Sequence, residues 1–539
     1  MPQTRRLLKE EITLSQAQEK EVNILRELDY YDQRREFISH LKPRWEWMGQ
    51  VVAHHLGLPS PDDCVVAISG DWRWGSFNVS IPFIVKRWSK RAQSQPQKGN
   101  RVMLRFPLPY RVGDAFRPGN SDEKLQCEAG TYAWLQQNCP DVPIPQLYGF
   151  GLSTGETFTR LDRLLFHRRW FEYLRLFAFR CLSHISVLPN PATPSNYVIN
   201  QFQPNPDVSW VDKSGYLVTE FIEESQGSML SNTWFDKEHH TSERRSNYFH
   251  SLTRILLSIS KTSLPSIGSF LIDRNGDLIL GNRPLTMEIQ ELENESITTD
   301  IPRDSTFSTI QSYVADILQM HDNRLRDQPN AVNDRNDSEY QMTALAAMRT
   351  IEPLIFNRGL RRGPFIFSLT DMHQSNVFVD NEWNITCVID LEWACSKPIE
   401  MVHPPYWLTD KGVDEIESEE YNIRREEFMT ALRSEESKLE NPQGRPYVHS
   451  EVMEQSWGSG ALWYSLALTS PTGLFQIFYN HIHSLLSDNE DLKSKLWDVM
   501  PVYWVKDAEG FMSKKVDDKK LYDKNLIEAF SSSSSSSTK

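Results

Sequence analysis

The chain has 539 residues, which allows roughly two to four domains, and its 39% hydrophobic and 24% charged residues are ordinary for a folded protein. Its 72 acidic residues outnumber its 58 basic ones, and the net charge of −14 argues against a general nucleic-acid binder, because binding along phosphates needs a basic face. No apolar run approaches the ~18 residues of a membrane-spanning helix, and the N-terminus lacks the apolar stretch of a secretory signal. We therefore expect a cytoplasmic protein, and its six cysteines, which include no C-x-x-C pair, are expected to be reduced and buried.

The first 222 residues divide into a helical extension and a strand-rich unit. Residues 1–62 are expected to be helical, with a sparse apolar stripe at 7–28 and a stronger amphipathic pattern at 37–56. A small lobe is predicted at 63–222, with an inserted helical segment at about 153–215. Short apolar runs predict the elements of this lobe, namely strands at 65–68, 79–85, 102–106, 146–150 and 216–221, and a helix at 122–138.

Beyond residue 222 the pattern becomes mainly helical. A large lobe is predicted at 223–500, and a helix with a Ser-rich tail is predicted at 501–539. The last nine residues of the chain form this tail and are expected to be disordered. Residues 272–280 predict a hairpin because Asn-Gly stands at their centre, and the polar stretch 324–337 predicts a mobile surface loop. Helix-like spacing is found at 251–260, 309–320, 339–354, 416–439 and 451–485.

A short segment past the middle of the chain carries the clearest functional pattern. Two apolar runs within 376–389 flank the polar centre 380–384, which predicts a β-hairpin. Asp371 and Asn376 stand at its start and Asp390 follows its end, so these three side chains are expected to converge. Carboxylate and amide oxygens are the ligands that Mg²⁺ prefers. The alternative is that the three residues only cap turns and a helix start.

A glycine-containing loop joins the first two predicted strands. Gly70 and Gly75 have the spacing of a Walker loop, but Ser76 stands where that loop requires Lys, so a true P-loop is rejected. The strand–loop–strand context favours a kinase-type loop that covers phosphates. A plain β-turn is the alternative.

The third predicted strand and the helix after it offer an ion pair. Arg105 on the strand is expected to face Glu128 on the helix, which is how kinases fix a cation over the α- and β-phosphates. Arg has the same charge as the Lys that kinases use there. Its guanidinium group is planar and forked, however, whereas the ammonium group of Lys is compact. A purely structural pair is the alternative, and Lys124, one turn before Glu128, is expected at the surface.

The motif Asp371-x-His373-x-x-Asn376, followed by Ile389-Asp390, resembles the catalytic loop of the aminoglycoside phosphotransferase superfamily, and most of all its large fungal members. These proteins are relatives of the protein kinases. The resemblance implies an α+β, two-lobed protein-kinase-like fold, with a β-rich small lobe containing one helix and a mainly helical large lobe. It also implies an ATP- and Mg-dependent O-phosphotransferase that acts on a hydroxyl group of a small molecule.

The resemblance further implies a role for each candidate residue. Asp371 would orient and deprotonate the acceptor hydroxyl, while Asn376 and Asp390 would hold the metal. The phosphate-covering loop, the ion pair and the hinge after the last strand of the small lobe would bind the nucleotide, through Gly75, Ser76, Asn78, Arg105, Glu128, Glu220 and Ile222.

Two departures from the family pattern keep an alternative function open. Leu369 and Thr370 stand where the family has His-Gly, and Arg105 stands at the position of the kinase Lys. These residues favour a catalytically weak or inactive kinase-fold protein that binds nucleotide, ligand or a protein partner. Phosphorylation of protein side chains is less favoured because no activation segment is recognisable after Ala394.

Two further features have open interpretations. The basic and aromatic stretch at 160–180 is typical of a helix that lies on an anionic membrane surface or binds a protein partner, or that packs on its own domain. Glu392, two residues after Asp390, is expected either to line the acceptor pocket or to anchor its loop.

Overall fold

The computed structural model describes residues 4–88, 99–183, 193–203, 214–236, 238–439, 447–486 and 490–532, and within them the chain has an α+β fold with several small sheets. No helix in these ranges is long and apolar enough to cross a membrane. The strands are β1 Thr4–Arg6, β2 Glu11–Thr13, β3 Cys64–Val66, β4 Arg73–Trp74, β5 Asn78–Val85, β6 Arg101–Pro107, β7 Leu147–Gly151, β8 Thr157–Arg160, β9 Thr193–Pro194, β10 Tyr197–Ile199, β11 Tyr216–Glu220, β12 Ser228–Met229, β13 Ser269–Ile272, β14 Asp277–Asn282, β15 Phe365–Leu369, β16 Val377–Val379, β17 Ile385–Val388 and β18 Ala394–Pro398.

Helices make up most of the remainder. They are α1 Leu14–Glu19, α2 Ile24–Glu27, α3 Tyr30–Leu41, α4 Trp45–Leu56, α5 Pro109–Val112, α6 Asn120–Asn138, α7 Phe166–Ser183, α8 Ser231–Trp234, α9 Ser242–Ile259, α10 Met287–Asn294, α11 Ile310–Asp327, α12 Arg335–Ile355, α13 Ser418–Ser437, α14 His449–Ser459, α15 Ala461–Leu468, α16 Leu474–Ile477, α17 His483–Leu486, α18 Glu490–Trp504 and α19 Ala508–Ser532. The five strands and the helix predicted for the first half of the chain are confirmed as β3, β5, β6, β7, β11 and α6.

The largest sheet is antiparallel and has the order β10-β8-β7-β11-β6-β5-β3, with β4 paired to β5. Successive side chains along β6 point to opposite faces of the sheet. Val102, Leu104 and Phe106 pack in one apolar cluster with α4, whose Trp47 is buried there. Arg105 therefore points to the other face, the side on which α6 lies.

The predicted insertion at 153–215 contributes strands as well as a helix. β8 and β10 extend the edge of the largest sheet, and α7 follows β8. Aromatic side chains of α7 face solvent: Phe166 is 64% exposed and Phe177 is 66% exposed. One interpretation of the basic and aromatic stretch at 160–180 was that it packs on its own domain, and for these two side chains that interpretation is wrong. Whether the stripe binds a membrane surface or a partner stays a prediction, and residues 184–192 and 204–213 of the insertion lie outside the described residues.

The N-terminal segment is not the long helix predicted at 7–28. It forms the β1–β2 hairpin and the short helices α1 and α2, because Thr13 caps α1 with a capping box and the apolar residues pack on a distant helix. Tyr522 of α19 accepts a hydrogen bond from the backbone nitrogen of Ile24 at 2.9 Å. The second predicted helix, at 37–56, is divided into α3 and α4 by a single 3₁₀ turn at Lys42–Arg44.

The predicted surface loop at 324–337 is also corrected. Gln328 and Asn330 are buried because they bind groups of other segments, whereas residues 333–336 are exposed: Asn330 Nδ2 donates to Val22 O at 2.9 Å, and Gln328 O accepts from Lys515 Nζ at 2.7 Å. The segment thus joins the N-terminal region to α19. Of the nine tail residues predicted to be disordered, Ser531 and Ser532 form the end of α19, which corrects the prediction for them, and residues 533–539 lie outside the described residues.

The predicted helices in the second half correspond to α9, α11, α12 and α13, and the stretch 451–485 is divided among α14 to α17 with a turn of π-helix. The predicted hairpin at 272–280 is confirmed as β13 and β14. The cysteines Cys64, Cys127, Cys139, Cys387 and Cys395 are buried, as expected.

Candidate active site

The β-hairpin predicted within 376–389 is present. Strands β16 and β17 pair antiparallel, and the backbone nitrogen of Ile389 donates to Asn376 O at 2.9 Å, so that Asn376 and Asp390 lie at the open end of the hairpin, opposite its turn. Asp371 follows β15, and its Oδ2 accepts a hydrogen bond from Asn376 Nδ2 at 3.1 Å. The three side chains converge, as the hairpin pattern predicted.

These residues lie in a cleft of about 580 Å³ between the hairpin and the largest sheet. That volume is in the range of small-molecule and cofactor sites. The cleft brings together all of the predicted site residues except Glu128, namely Gly75, Ser76, Asn78, Arg105, Glu220, Ile222, Asp371, Asn376 and Asp390. Glu128 lies behind Arg105 and is completely buried.

Arg105 is bound to three carboxylates. Its Nη1 donates to Glu128 Oε1 at 2.8 Å, and its Nη2 contacts Asp390 and, at 3.4 Å, Glu392 Oε2. Burial disfavours a charge on Arg105, but the attraction of the three carboxylates outweighs it and holds the pKa of Arg105 well above its usual value. The predicted pair with Glu128 is confirmed, and Arg105 additionally ties that pair to Asp390.

Lys124 is fully buried, so the prediction of a surface position is wrong. Its Nζ donates to Glu392 Oε2 at 2.8 Å and to Asn78 Oδ1 at 2.7 Å. The physical reason is that α6 is enclosed: it lies so close to β13 that a Cβ on Gly130 would come within 2.4 Å of Phe270 O. The i, i+4 spacing of Lys124 and Glu128 was the available signal, because it gives both residues the same helix face.

Glu392 anchors its loop, which was one of its two predicted roles, and it also lines the cleft. Burial would raise the pKa of Glu392, but Lys124 and Arg105 outweigh that effect and hold the pKa below its usual value. Asn78 Nδ2 donates to the same carboxylate at 2.6 Å. Asn78, predicted as a residue of the phosphate-covering loop, therefore joins that loop to the segment that carries Asp390.

Asp371 is a largely buried carboxyl among other carboxylates. Burial first, and then the charges of Glu392 and Asp390, raise the pKa of Asp371 to about 8. At neutral pH the metal-free carboxyl with this pKa is mostly protonated, and it can accept a proton from a hydroxyl group only in its ionised form. Positive charge brought close to Asp371 would lower its pKa and favour that form.

The loop around Asp371 is braced without the His-Gly of the family motif. Leu369 pairs with Ala394 in the β15–β18 ladder and packs against an apolar cluster, and Thr370 Oγ1 donates to Trp393 O. On the other side, Trp407 Nε1 donates to the backbone oxygen of Met372 at 2.7 Å. These contacts fix the loop on both sides.

The oxygen donors of Asn376 and Asp390 fit a magnesium ion. Neither Asn376 Oδ1 nor Asp390 Oδ2 accepts a hydrogen bond from another residue that the structure describes. Asp390 has a left-handed backbone with φ of 55°, a conformation that Asp tolerates and that is frequent at functional sites. The described residues contain no group of three or more His, Cys, Asp or Glu side chains suited to hold a metal ion.

The loop after β4 has a contact that the sequence did not indicate. Lys9, in the turn between β1 and β2, lines the cleft, and its Nζ donates to Ser76 Oγ at 3.3 Å. Arg73 also lines the cleft, with its guanidinium 4.8 Å from the ring centre of Phe221. No local pattern could reveal Lys9, because 67 residues separate it from Ser76.

The predicted hinge forms another wall of the cleft. Glu220 and Ile222 line it, and Glu220 Oε2 accepts a hydrogen bond from the backbone nitrogen of Gln146 at 3.1 Å. The side chain of Glu220 therefore fixes the strand end, and the cleft-facing backbone of this segment stays a predicted nucleotide contact. No protein-family model matches the chain, and no curated protein matches it in sequence.

Proposed function

We propose that the chain is an ATP- and Mg-dependent O-phosphotransferase with a two-lobed protein-kinase-like fold, acting on a hydroxyl group of a small molecule. The observation that carries the proposal is the convergence of Asp371, Asn376 and Asp390 at one end of the catalytic hairpin, inside a cleft of ligand size. Phosphoryl transfer needs mainly positioning and charge stabilisation, and these residue types supply both.

Each group in the cleft has a role in this proposal. Asp371 in its ionised form orients the acceptor hydroxyl and accepts its proton, and its raised pKa makes that form a stronger base than an ordinary carboxylate. Asn376 and Asp390 hold the magnesium ion, which when bound neutralises charge on the phosphates. The loop at Gly75–Ser76 covers the phosphates of ATP. The segment from Glu220 to Ile222 holds its adenine ring.

The chain of contacts behind the cleft supports the same proposal. Glu128 fixes Arg105, while Lys124 and Asn78 fix Glu392, so the loop that carries Asp390 is attached to both the sheet and α6. Side chains held in this way lose little further entropy when substrates bind. Such a supporting set of contacts is what precise positioning of a reacting group requires.

A binding protein without turnover is the second candidate, and one observation favours it. Arg105 contacts Asp390, so an internal cation already lies against the carboxylate that would hold magnesium. In a protein that binds nucleotide without catalysis, this contact would persist in the complex. An enzyme requires the carboxylate to exchange Arg105 for the metal or to contact both.

The test is acceptor-dependent release of ADP by the purified chain with ATP and Mg²⁺. The acceptor panel consists of hydroxyl-bearing metabolites, including aminoglycosides, choline, ethanolamine and sugar amines. We expect at least one acceptor to raise ADP release above the slow hydrolysis by water. Magnesium-dependent ATP binding with hydrolysis that no residue of the cleft influences would favour the binding protein instead.

A further inference from the structure

We infer that Lys9 contacts the phosphates of the bound nucleotide, so that the N-terminal β1–β2 hairpin supplies a residue to the site. The inference rests on the proposed function and adds a cation that lies outside the catalytic motif. Lys9 lines the same cleft as Asp371 and Asp390, and its Nζ is 3.3 Å from the hydroxyl of Ser76 in the phosphate-covering loop.

The charge distribution in the cleft shows why a further cation is needed there. Arg105 is bound to Glu128, Asp390 and Glu392, so its charge is already compensated by carboxylates. Lys124 is completely buried, bound to Glu392, and does not line the cleft. ATP carries about four negative charges and one Mg²⁺ ion neutralises two of them, so further cations are normally aimed at the phosphates.

Lys9 is the lysine that meets this need. It is exposed, its ammonium donates to a neutral hydroxyl, and among the described residues no carboxylate forms an ion pair with it. Arg73, the other cation of the cleft without a carboxylate partner in that set, lies over Phe221 at the hinge end. A lysine at Ser76 is therefore placed where the predicted loop covers the phosphates.

The turn that carries Lys9 is held in place from behind. The backbone nitrogen of Leu7 donates to Glu10 O at 2.8 Å, and Leu7 and Ile12 are buried against Tyr522 and Leu526 of α19. A cation on such an anchored turn loses less entropy on binding than one on a free terminus.

A second cavity, of about 260 Å³, continues from the loop beneath this turn. Lys9, Arg34 and Arg111 line it together with the carboxylates Glu10 and Glu27, and Arg111 Nε donates to the backbone oxygen of Ser76 at 3.1 Å. Positive groups thus approach the loop from the hairpin and from α5.

The experiment compares the affinities of MgATP, MgADP and adenosine by calorimetry for the parent, Lys9→Met, Lys9→Arg and the control Lys20→Met. Lys20 is an exposed lysine of the same N-terminal segment that does not line the cleft. We expect Lys9→Met to weaken MgATP binding about tenfold, as loss of one charge-assisted hydrogen bond does, and to leave adenosine binding unchanged. Lys9→Arg should keep most of the MgATP affinity, and Lys20→Met should keep all of it.

Three results would overturn the inference, and they differ from one another. If Lys9→Met binds MgATP like the parent, Lys9 does not contact phosphate, although the proposed function stands. If adenosine binding falls as much as MgATP binding, Lys9 acts through the shape of the cleft and not through phosphate. If the parent binds no MgATP, the proposed function fails and the inference fails with it.

Discussion

Lys124 Nζ lies 2.8 Å from Glu392 Oε2, and the two side chains are 0% and 4% exposed. The pair joins α6 to the segment that follows Asp390, and Asn78 bonds both partners. Because Asp390 and Glu392 are two residues apart, the position of α6 and the position of the predicted metal ligand depend on each other.

Removal of one partner of this pair should strongly destabilise the protein. Lys124→Met leaves Glu392 buried without its main counter-charge, which costs about 3–5 kcal/mol of the free energy of unfolding. The double variant Lys124→Met/Glu392→Met removes both charges and should recover part of that loss. Urea unfolding measures both effects, with the exposed Lys20→Met as control. A loss below about 1 kcal/mol in Lys124→Met would mean that the pair does not hold the loop.

Arg105 should be needed for folding as well as for nucleotide binding. Arg105→Ala leaves Glu128 buried without its cation and is expected to cost about 3–5 kcal/mol. Arg105→Lys keeps the charge but cannot donate to Glu128 and Asp390 in the fork geometry, so we expect an intermediate loss of stability and of ATP affinity. Denaturant unfolding and ATP titration of both variants check this order. An Arg105→Ala protein as stable as the parent would contradict the buried network.

Asp390→Asn should separate metal binding from folding. ATP with Mg²⁺ stabilises the native state by mass action, by about 2.7 kcal/mol at a hundred times the Kd, and so raises Tm. The amide keeps the shape of Asp390 but loses its charge, so we expect the Mg²⁺-dependent part of this Tm shift to fall sharply while Arg105 stays paired with Glu128. Thermal unfolding with and without Mg²⁺ measures it. An undiminished shift would remove Asp390 from the metal site.

Asp371 should make the metal-free protein less stable as the pH rises. Burial, with the charges of Glu392 and Asp390, raises the pKa of Asp371 to about 8, whereas a carboxyl in the unfolded chain has a pKa near ~4. Between these values the folded state binds the proton more often than the unfolded state, so stability falls as the pH rises from about 4 to about 8. Asp371→Asn removes this dependence.

The Tm advantage of Asp371→Asn over the parent, measured in EDTA, should therefore widen from pH 5 to pH 8. Asp304→Asn is the control, since Asp304 is exposed and does not line the cleft. An advantage that does not change with pH would show that Asp371 ionises as easily in the folded protein as in the unfolded chain.

Local patterns were sufficient for the elements of the site. The apolar runs of β5 and β6, the stretch that forms α6 and the polar turn of the β16–β17 hairpin lie within short windows, and the hairpin alone predicts that Asn376 and Asp390 meet. The position of Arg105 opposite Glu128 followed from the order of strand and helix.

The contacts that the sequence did not predict join residues that are distant in the sequence. Lys124 meets Glu392 across 268 residues, and Lys9 meets Ser76 across 67, so no window of the sequence contains both members of either pair. The segment with Gln328 and Asn330 was predicted to be a surface loop because it is polar. Both amide side chains donate to backbone oxygens of the N-terminal segment, and the backbone oxygen of Gln328 accepts from Lys515.

The most direct test of the account is the effect of Asp371→Asn on acceptor-dependent ADP release. We expect turnover to fall by a factor of about 10² to 10⁴, the usual contribution of a positioned general base, with MgATP affinity nearly unchanged. The control Asp380→Asn, in the exposed turn of the same hairpin, should retain parental turnover. ADP release that is the same in Asp371→Asn as in the parent, together with the absence of Mg²⁺-dependent ATP binding, would contradict the proposed phosphotransferase.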